Sequence, residues 1–505
     1  MKNKNQAIKA GSLLGAVLIF SCLAVTAYAD KKTDTDRLRS AVKTEEIMEH
    51  LEELQKIANK NGGNRAIKPA DFLGPNGDQK TRDYIVKVLT ETGLNVQRLP
   101  VVFENFHEAT PAVLELVSPS SKAYVEGLPG SPTAQFHIMQ GSGNGDVTTS
   151  IQAVDIMIPP GSTPGSSNSG CEPADFAGFV PGNIALIQRG TCTFTAKVDN
   201  AQTAGASGVI IFNEGQPGRT ALAGGLLQHP ATIPTVITEF AIGEELNNLS
   251  LQGTVNVHIK TDAEFLHTKT ENIIAETRTG RPDHVVMVGA HLDSVEEGPG
   301  IDDNGSGIAT LLEIAKGIQE EHIHPLNRVR FAFWGAEEVG QVGSVQYVDN
   351  LSPTEAANIA LYLNVDMLGS PNFVPSVYEA DYSVLPPTFA SPQPASGSTA
   401  IEKVFVDYFE SVGPTPTLLR IDQRSDYREF LFTDIPFAAI TSGFDGNKTA
   451  AEAANFGGTT GQPYDACYHK ACDTIHNVSR TSLKLMSGAI IHTLMTFANR
   501  EVIFP

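Results

Sequence analysis

The sequence predicts an α/β fold in which a mainly parallel, mixed sheet is flanked by helices. Three apolar runs, residues 283–291, 328–338 and 358–367, have the composition of buried strands. A helical segment over residues 305–320 follows the first run, and buried strands that alternate with helices are typical of parallel sheets. From about residue 131 to 259 the chain is instead rich in Gly, Pro and Ser, with short β-like segments. This change in composition predicts a small β-rich domain inserted into the larger fold.

The first 29 residues have the features of a secretory signal peptide. Three lysines precede an apolar run over residues 11–25, and Ala27-Tyr28-Ala29 ends the segment. We therefore expect cleavage after Ala29 and a secreted or periplasmic protein that has no stable membrane association. A lipid anchor on Cys22 is the weaker alternative, because the bulky Phe20 fits a lipoprotein cleavage site poorly.

Two helices and two strands are predicted before the insertion. Residues 36–60 have an apolar stripe at helical spacing, and a second helix is predicted over about 78–93. Strand-like runs follow at residues 96–103 and 112–117. The larger fold is therefore expected in two parts, residues 30–130 and 260–505.

The composition excludes several classes of function. The 505 residues include 57 acidic and 36 basic side chains, for a net charge of −21. Such a surface repels phosphate backbones and anionic lipids, so we expect no nucleic-acid partner. With 41% hydrophobic and 18% charged residues, the chain is typical of globular proteins rather than of disordered or multi-spanning membrane proteins.

Four cysteines remain once the signal peptide is removed, and an exported protein favours disulfides between them. Three pairings are possible, of which the local one needs no long-range assumption. A zinc site of four cysteines is the alternative. The four residues are Cys171, Cys192, Cys467 and Cys472.

Carboxylates and imidazoles collect where the predicted strands end. Each residue alone is more simply explained as a turn, a helix cap or a hydrogen-bonded structural group. Together they converge at the carboxyl edge of one sheet, where burying several acids without cations is costly. Bound divalent metal removes that cost. The residues are His291, Asp293, Asp302, Asp303, Glu337, Glu338 and Asp366, with His469 on a later loop.

Six motifs in this order resemble the secreted dinuclear-zinc aminopeptidases of the bacterial leucyl aminopeptidase type. They are HLDSV, PGIDDNGSG, FWGAEEVG, NVDMLG, RSDY and YDACYHKACDT. The resemblance covers most of residues 260–505 and the helical N-terminal part. It implies the zinc exopeptidase fold, two Zn²⁺ per chain and peptide substrates with a free N-terminus.

The resemblance also assigns the metal ligands. It implies that His291 and Asp366 hold one zinc, that Glu338 and His469 hold the other, and that Asp303 bridges both. Asp293 is then expected to orient His291. In this family a disulfide spans the segment around His469, which supports a bond between Cys467 and Cys472.

The implied reaction is hydrolysis of the N-terminal peptide bond by a metal-bridging hydroxide. Glu337 is the expected general base, and Tyr468 is expected to polarise the carbonyl group or stabilise its oxyanion. The family often prefers large apolar N-terminal residues. Arg424 and Phe444 are candidates for substrate binding, although Arg424 could instead pair with Asp426 and Phe444 could be a core residue.

The inserted segment resembles the protease-associated domain. Its motifs are CEPADF, ALIQRGTCTF and GASGVIIFN, separated by a short helix. Such modules carry no catalytic residues, so a lid or a spacer is expected over residues 131–259.

Three other functions are compatible with parts of this pattern. A glutamate-carboxypeptidase-like enzyme shares the motifs but needs a basic pocket for the substrate carboxylate, and no cluster of arginines lies near the motifs. A non-catalytic receptor of the same fold is disfavoured by the complete ligand set. A zinc acyltransferase that cyclises N-terminal Gln is weaker still, because such enzymes use a single zinc.

Overall fold

The computed structural model describes residues 34–504, except 71, 75, 130, 132, 163, 164 and 387–391. The predicted signal peptide, with its cleavage after Ala29, lies outside the described residues. The described chain divides into two compact units. The larger contains the residues up to Phe103 and from Thr268 onward, and the smaller spans Glu104–His267.

The larger unit is built on a mixed, mainly parallel sheet. Its strands are β9 (Arg281–His291), β10 (Asn327–Trp334), β11 (Ile359–Val365), β12 (Ser376–Tyr378), β13 (Thr417–Leu419) and β14 (Phe437–Thr441). β9 lies between β10 and β11, and both pairings are parallel. β14 pairs parallel with β11 and antiparallel with β12. The predicted fold class is confirmed.

Helices accompany this sheet. They are α1 (residues 34–41), α2 (Thr44–Lys60), α3 (Gly77–Glu91), α6 (Ser306–Glu320), α7 (Val342–Asp349), α8 (Pro353–Asn358), α9 (Ser398–Val412), α10 (Ala450–Phe456) and α11 (Arg480–Ala498). The single helix predicted over residues 36–60 is two helices, because Lys43, at the N-cap position of α2, adopts an extended backbone conformation.

The two faces of the sheet are covered by different cores. Val286, Val288 and Ala290 of β9 pack into a cluster that includes apolar residues of α2, α6 and α11. Val285 and Met287 face a second cluster, which contains Trp334 and other aromatic side chains. Because side chains alternate along a strand, His291 lies on the same face as Met287. The polar residues at the carboxyl end of β9 therefore follow directly from a buried apolar strand.

The smaller unit is β-rich. It contains β3 (Phe136–Ile138), β4 (Gly145–Val154), β5 (Ile184–Gln188), β6 (Gly208–Phe212) and β7 (Thr235–Thr238), together with α4 (Phe194–Thr203) and α5 (Phe240–Ser250). β4, β5, β6 and β7 pair parallel in that order. Short β2 (Lys122–Ala123) pairs with β1 (Asn95–Ser118), while β4 pairs with β8 (Asn256–Glu276). The chain passes between the two units within β1 and β8.

The described residues contain two disulfides. Cys171 bonds to Cys192 in the smaller unit, and Cys467 bonds to Cys472 in the larger. The local pairing is therefore confirmed. None of the helices in the described residues combines the length and the apolar character needed to cross a membrane.

Candidate metal centre

The five predicted ligands lie together at the carboxyl edge of the sheet. His291 is the last residue of β9, and Asp366 directly follows β11. Glu338 lies in the turn after β10, and Asp303 lies in the bent segment Ile301–Gly305 that precedes α6. His469 comes from the loop that the disulfide Cys467–Cys472 closes. Four separate loops and one strand end thus supply one cluster.

Asp303 lies between the two imidazoles. Its Oδ1 is 3.1 Å from Nε2 of His291, and its Oδ2 is 3.2 Å from Nε2 of His469. Nε2 of His291 is also 3.3 Å from Asp366 Oδ1, while Nε2 of His469 is 3.1 Å from Glu338 Oε2. The two oxygens of one carboxylate therefore belong to two separate groups, each with one imidazole and one further carboxylate.

The pKa values of the two histidines show that the carboxylates of the cluster favour positive charge beside them. Although burial alone lowers it, the carboxylates of Glu338 and Asp303 raise the pKa of His469 to about 11. The pKa of His291 is likewise well above its usual value, because the pull of Asp366 and Asp303 outweighs burial. Burial would raise the pKa of Asp303, but hydrogen bonds from both imidazoles outweigh it and lower that pKa.

Two of the predicted ligands each have one oxygen without a hydrogen bond. Glu338 Oε1 and Asp366 Oδ1 are buried, and neither is hydrogen-bonded to any residue in the described chain. Buried carboxylate oxygens are normally satisfied by donors or by cations. Ligand atoms of His291, Asp303 and Glu338 lie within 4.8 Å of one another, a spacing that can hold one metal ion. The residues therefore fit a metal centre.

The carboxylate of Asp293 contacts the backbone after β10 and not the imidazole of His291, which the carbonyl group of Asp293 contacts instead. Its carboxylate oxygens accept hydrogen bonds from the backbone N–H groups of Glu337 at 3.1 Å and Glu338 at 3.2 Å. Its Oδ1 is 3.8 Å from Nδ1 of His291, which is too long for a hydrogen bond. The nearer acceptor is the carbonyl oxygen of Asp293, at 3.2 Å from Nδ1. Donation from Nδ1 to this carbonyl leaves Nε2 to face the other ligands.

Glu337 and Tyr468 line the same cleft, but they make different contacts there. Glu337 is buried, and its Oε1 accepts a hydrogen bond of 3.0 Å from Gln341 Nε2. Burial and the nearby carboxylate of Asp426 raise its pKa well above the usual value, against the opposing effect of His291. The ring of Tyr468 stacks on His469, with centroids 3.9 Å apart. Both side chains line the cleft beside the ligands.

The two candidate substrate residues also line this cleft. The Arg424 guanidinium lies 4.6 Å from the centre of the Phe444 ring. It donates to the Tyr468 hydroxyl at 3.3 Å and to both oxygens of Asp445, also at 3.3 Å. The alternative pairing of Arg424 with Asp426 is not found: Arg424 pairs with Asp445, and Asp426 accepts a hydrogen bond of 2.6 Å from Ser344.

Some residues at the site were not predicted. Ser425 donates a hydrogen bond of 2.7 Å to Asp366 Oδ2, and Asn364 donates one of 2.9 Å to Ser425. Asp473 accepts from the backbone N–H groups of Asp302 and Asp303, at 2.9 and 3.1 Å. The available signals were their positions inside the motifs RSDY, NVDM and ACDT. Asn364 is also the last but one residue of β11, two residues before Asp366, which directly follows that strand.

The sequence matches two protein families. Residues 272–494 match the description "Peptidase family M28", and residues 153–246 match "PA domain". An aminopeptidase of Pseudomonas aeruginosa is 40% identical over 447 residues, which cover 88% of this chain and 79% of that protein. The chain belongs to peptidase family M28.

One further relative agrees with this membership, and one solved structure shares the fold. A protein of Mycobacterium tuberculosis described as "Probable lipoprotein aminopeptidase LpqL" is 36% identical over 91% of this chain and 86% of its own length. The solved aminopeptidase from Aneurinibacillus sp. strain AM-1 has a TM-score of 0.71 at 22% identity, over 93% of this chain and 98% of that one. The resemblance predicted from the motifs, to an aminopeptidase family with an inserted protease-associated domain, is confirmed.

Proposed function

We propose that this M28 peptidase is an exported zinc aminopeptidase that binds two zinc ions per chain and prefers large apolar N-terminal residues. One observation supports the metal count above all others. Asp303 places its two oxygens against two different imidazoles, each of which has its own second carboxylate. His291 and Asp366 would hold one ion, Glu338 and His469 the other, and Asp303 both. Imidazole and carboxylate are ligand types that zinc takes in catalytic sites.

The zinc ions, when bound, would supply Lewis acidity that activates water and polarises the substrate carbonyl group. The chain's own residues then perform the proton transfers and the positioning. Glu337 takes the proton of the attacking water on its carboxylate and delivers it to the leaving amine. The Tyr468 hydroxyl accepts a hydrogen bond from Arg424 and donates a hydrogen bond to the carbonyl oxygen, without transfer of its proton. The substrate ammonium group is held by the carboxylates of Glu337 and Asp366.

The domain arrangement that accompanies this function is also a proposal. We assign residues 1–29 to a cleaved signal peptide, 30–130 and 260–505 to the peptidase domain, and 131–259 to the inserted domain. Two disulfides support an oxidising destination outside the cytoplasm.

Metal removal tests the cofactor. Treatment with a chelator should abolish hydrolysis of leucine amide, and addition of Zn²⁺ should restore it. Metal analysis of the purified protein should find two zinc ions per chain. Activity that survives complete removal of bound metal would contradict the proposal.

A substrate panel tests the specificity. Met367, Tyr378, Ile440 and Phe444 line the cleft beside the ligands. An apolar pocket discriminates by about 10-fold or more between side chains that differ by a few methylene groups. The kcat/KM for leucine or phenylalanine amide should therefore exceed that for alanine or aspartate amide by at least about 10-fold. Equal values for leucine and aspartate amides would contradict the apolar preference.

A blocked N-terminus separates the leading function from the carboxypeptidase alternative. An N-acetylated dipeptide has no ammonium group for the carboxylates of the cleft, so it should not be hydrolysed. Among the described residues that line the cleft, Arg424 is the only arginine or lysine, and Asp445 already pairs with it. Hydrolysis of the acetylated dipeptide at its C-terminal bond would favour the alternative.

A further inference from the structure

The metal ligand Asp366 is the end point of a buried chain of hydrogen bonds. Trp334 Nε1 lies 2.8 Å from the Tyr362 hydroxyl, which lies 2.7 Å from Asn364 Oδ1. Asn364 Nδ2 lies 2.9 Å from Ser425 Oγ, which lies 2.7 Å from Asp366 Oδ2. Trp334 and Tyr362 are fully buried, and Asn364 and Ser425 are 2% and 5% exposed. We call these four residues the Asp366 relay.

The direction of every bond in the Asp366 relay is set at its first residue. An indole N–H can only donate, so the Tyr362 hydroxyl accepts from Trp334 and gives its own proton to Asn364 Oδ1. The Asn364 amide is thereby oriented with its NH₂ group toward Ser425. Ser425 accepts from that group, and its proton remains for Asp366.

The sheet register brings these side chains together on one face. His291 on β9 is opposite Trp334 on β10, and Gly289 on β9 is opposite Asn364 on β11. Trp334 can reach Tyr362 across β9 only because Gly289 has no side chain. A Cβ atom there would lie 2.6 Å from Trp334 Nε1 and 2.8 Å from the Tyr362 hydroxyl oxygen. The glycine leaves room for the first bond of the relay.

The two oxygens of Asp366 make different contacts, one with the relay and one with His291. Oδ2 receives the Ser425 hydrogen bond, whereas Oδ1 lies 3.3 Å from His291 Nε2 and has no hydrogen bond from the described residues. A carboxylate fixed in this way keeps one oxygen turned toward the metal centre. Groups that orient metal ligands commonly change metal affinity or activity by 10- to 100-fold when they are removed.

We propose that Trp334, Tyr362 and Asn364 are positioning residues of the metal centre, which act through Ser425 to present Asp366 Oδ1 to the zinc ion. The proposal rests on the assignment of Asp366 as a zinc ligand under the proposed function. Its new content is that the zinc affinity of one site depends on groups buried in the sheet that are not themselves metal ligands.

Tyr362→Phe breaks the relay with the least disturbance. It removes one oxygen atom and keeps the ring that stacks on Phe430, with centroids 4.0 Å apart. We expect zinc binding at one of the two sites to weaken by about 10-fold, and Ser425→Ala to weaken it by up to about 100-fold. The measurement is competition with a chelator of known affinity, which resolves the two binding steps without use of activity.

A double variant shows whether Tyr362 acts through Ser425. If both residues belong to one series of hydrogen bonds, Tyr362→Phe adds no further loss of zinc affinity in the Ser425→Ala background. Additive losses would overturn the relay.

The emission of Trp334 gives a second measurement, because Trp334 is the only tryptophan of the sequence. Its emission in the metal-free protein should shift in Tyr362→Phe, and an unchanged spectrum would also overturn the relay.

Tyr347→Phe is the matched control. The Tyr347 ring also packs against Trp334, with centroids 5.0 Å apart, and its hydroxyl accepts a hydrogen bond of 2.6 Å from Arg330. This variant loses a half-buried hydroxyl beside the same indole but outside the relay, so its zinc affinity should equal that of the parent.

If the parent binds no zinc, the proposed function fails and the relay fails with it. If the parent binds zinc and Tyr362→Phe binds it equally well, only the relay is overturned.

Discussion

Replacing Glu337 with Gln should lower kcat by about 10²- to 10⁴-fold, the contribution of a well-placed general base. The amide has nearly the same shape as the carboxylate and can still accept the hydrogen bond that Gln341 donates to Oε1. It cannot take a proton from water. Because Glu337 is not among the five assigned ligands, zinc content should remain at the parent value.

The control for this variant is Glu313→Gln. Glu313 is also a buried glutamate of the larger unit, and its carboxylate contacts His50 and Lys316 away from the cleft. Its substitution should alter stability but leave kcat within a factor of about 2. Parent-like turnover in Glu337→Gln, measured at saturating leucine amide with zinc verified, would remove Glu337 from the mechanism.

Four of the predicted residues share one property, which is that each ends or closely follows an apolar strand. His291 ends an apolar strand, Asp366 follows another, and Glu337 and Glu338 follow a third. Parallel strands bring their carboxyl ends to one edge, so the local pattern and the fold class together place these side chains near one another. His469 does not follow a strand, so only the motif that contains it allowed its prediction.

The residues that could not be predicted act through contacts between distant segments. Arg65 is fully buried, yet it lies in the irregular segment after α2. Its guanidinium donates to the carbonyl oxygens of Leu292, Pro299 and Gly300, which belong to the loop between His291 and Asp303. A lone arginine in a turn has no periodic pattern that would reveal this role.

The Asp366 relay could not be predicted from the sequence for a related reason. Trp334 and Tyr362 each fit an apolar strand, and their polar atoms meet only because Gly289 lies between them in the sheet. That meeting depends on strand register, which a single sequence does not specify for parallel strands joined by long connections. Composition and motifs therefore predicted the ligands, while the groups that orient them required the structure.

Asp303→Asn should have the second large effect, because the two carboxylate oxygens of Asp303 lie against the two different imidazoles of the proposed centre. The amide keeps the size of the side chain but removes its charge and offers one oxygen instead of two. His291 and His469 then lose the carboxylate that lies 3.1 and 3.2 Å from their Nε2 atoms. We expect zinc content to fall from two ions to one or fewer, and zinc affinity to fall by more than about 100-fold, beyond the usual effect of an orienting group.

Asp78→Asn separates this loss from a general effect of removing a buried acid. Asp78 is fully buried and pairs with Arg82 at 2.9 Å, so its substitution should lower the free energy of unfolding without changing zinc content. The comparison is made by metal analysis and chelator competition on both variants. If Asp303→Asn still holds two zinc ions with parent affinity, Asp303 does not bridge, and the two groups around His291 and His469 would have to be independent sites. A fall to one ion or fewer in Asp303→Asn, with both ions retained in Asp78→Asn, identifies Asp303 as the carboxylate that the two zinc sites share.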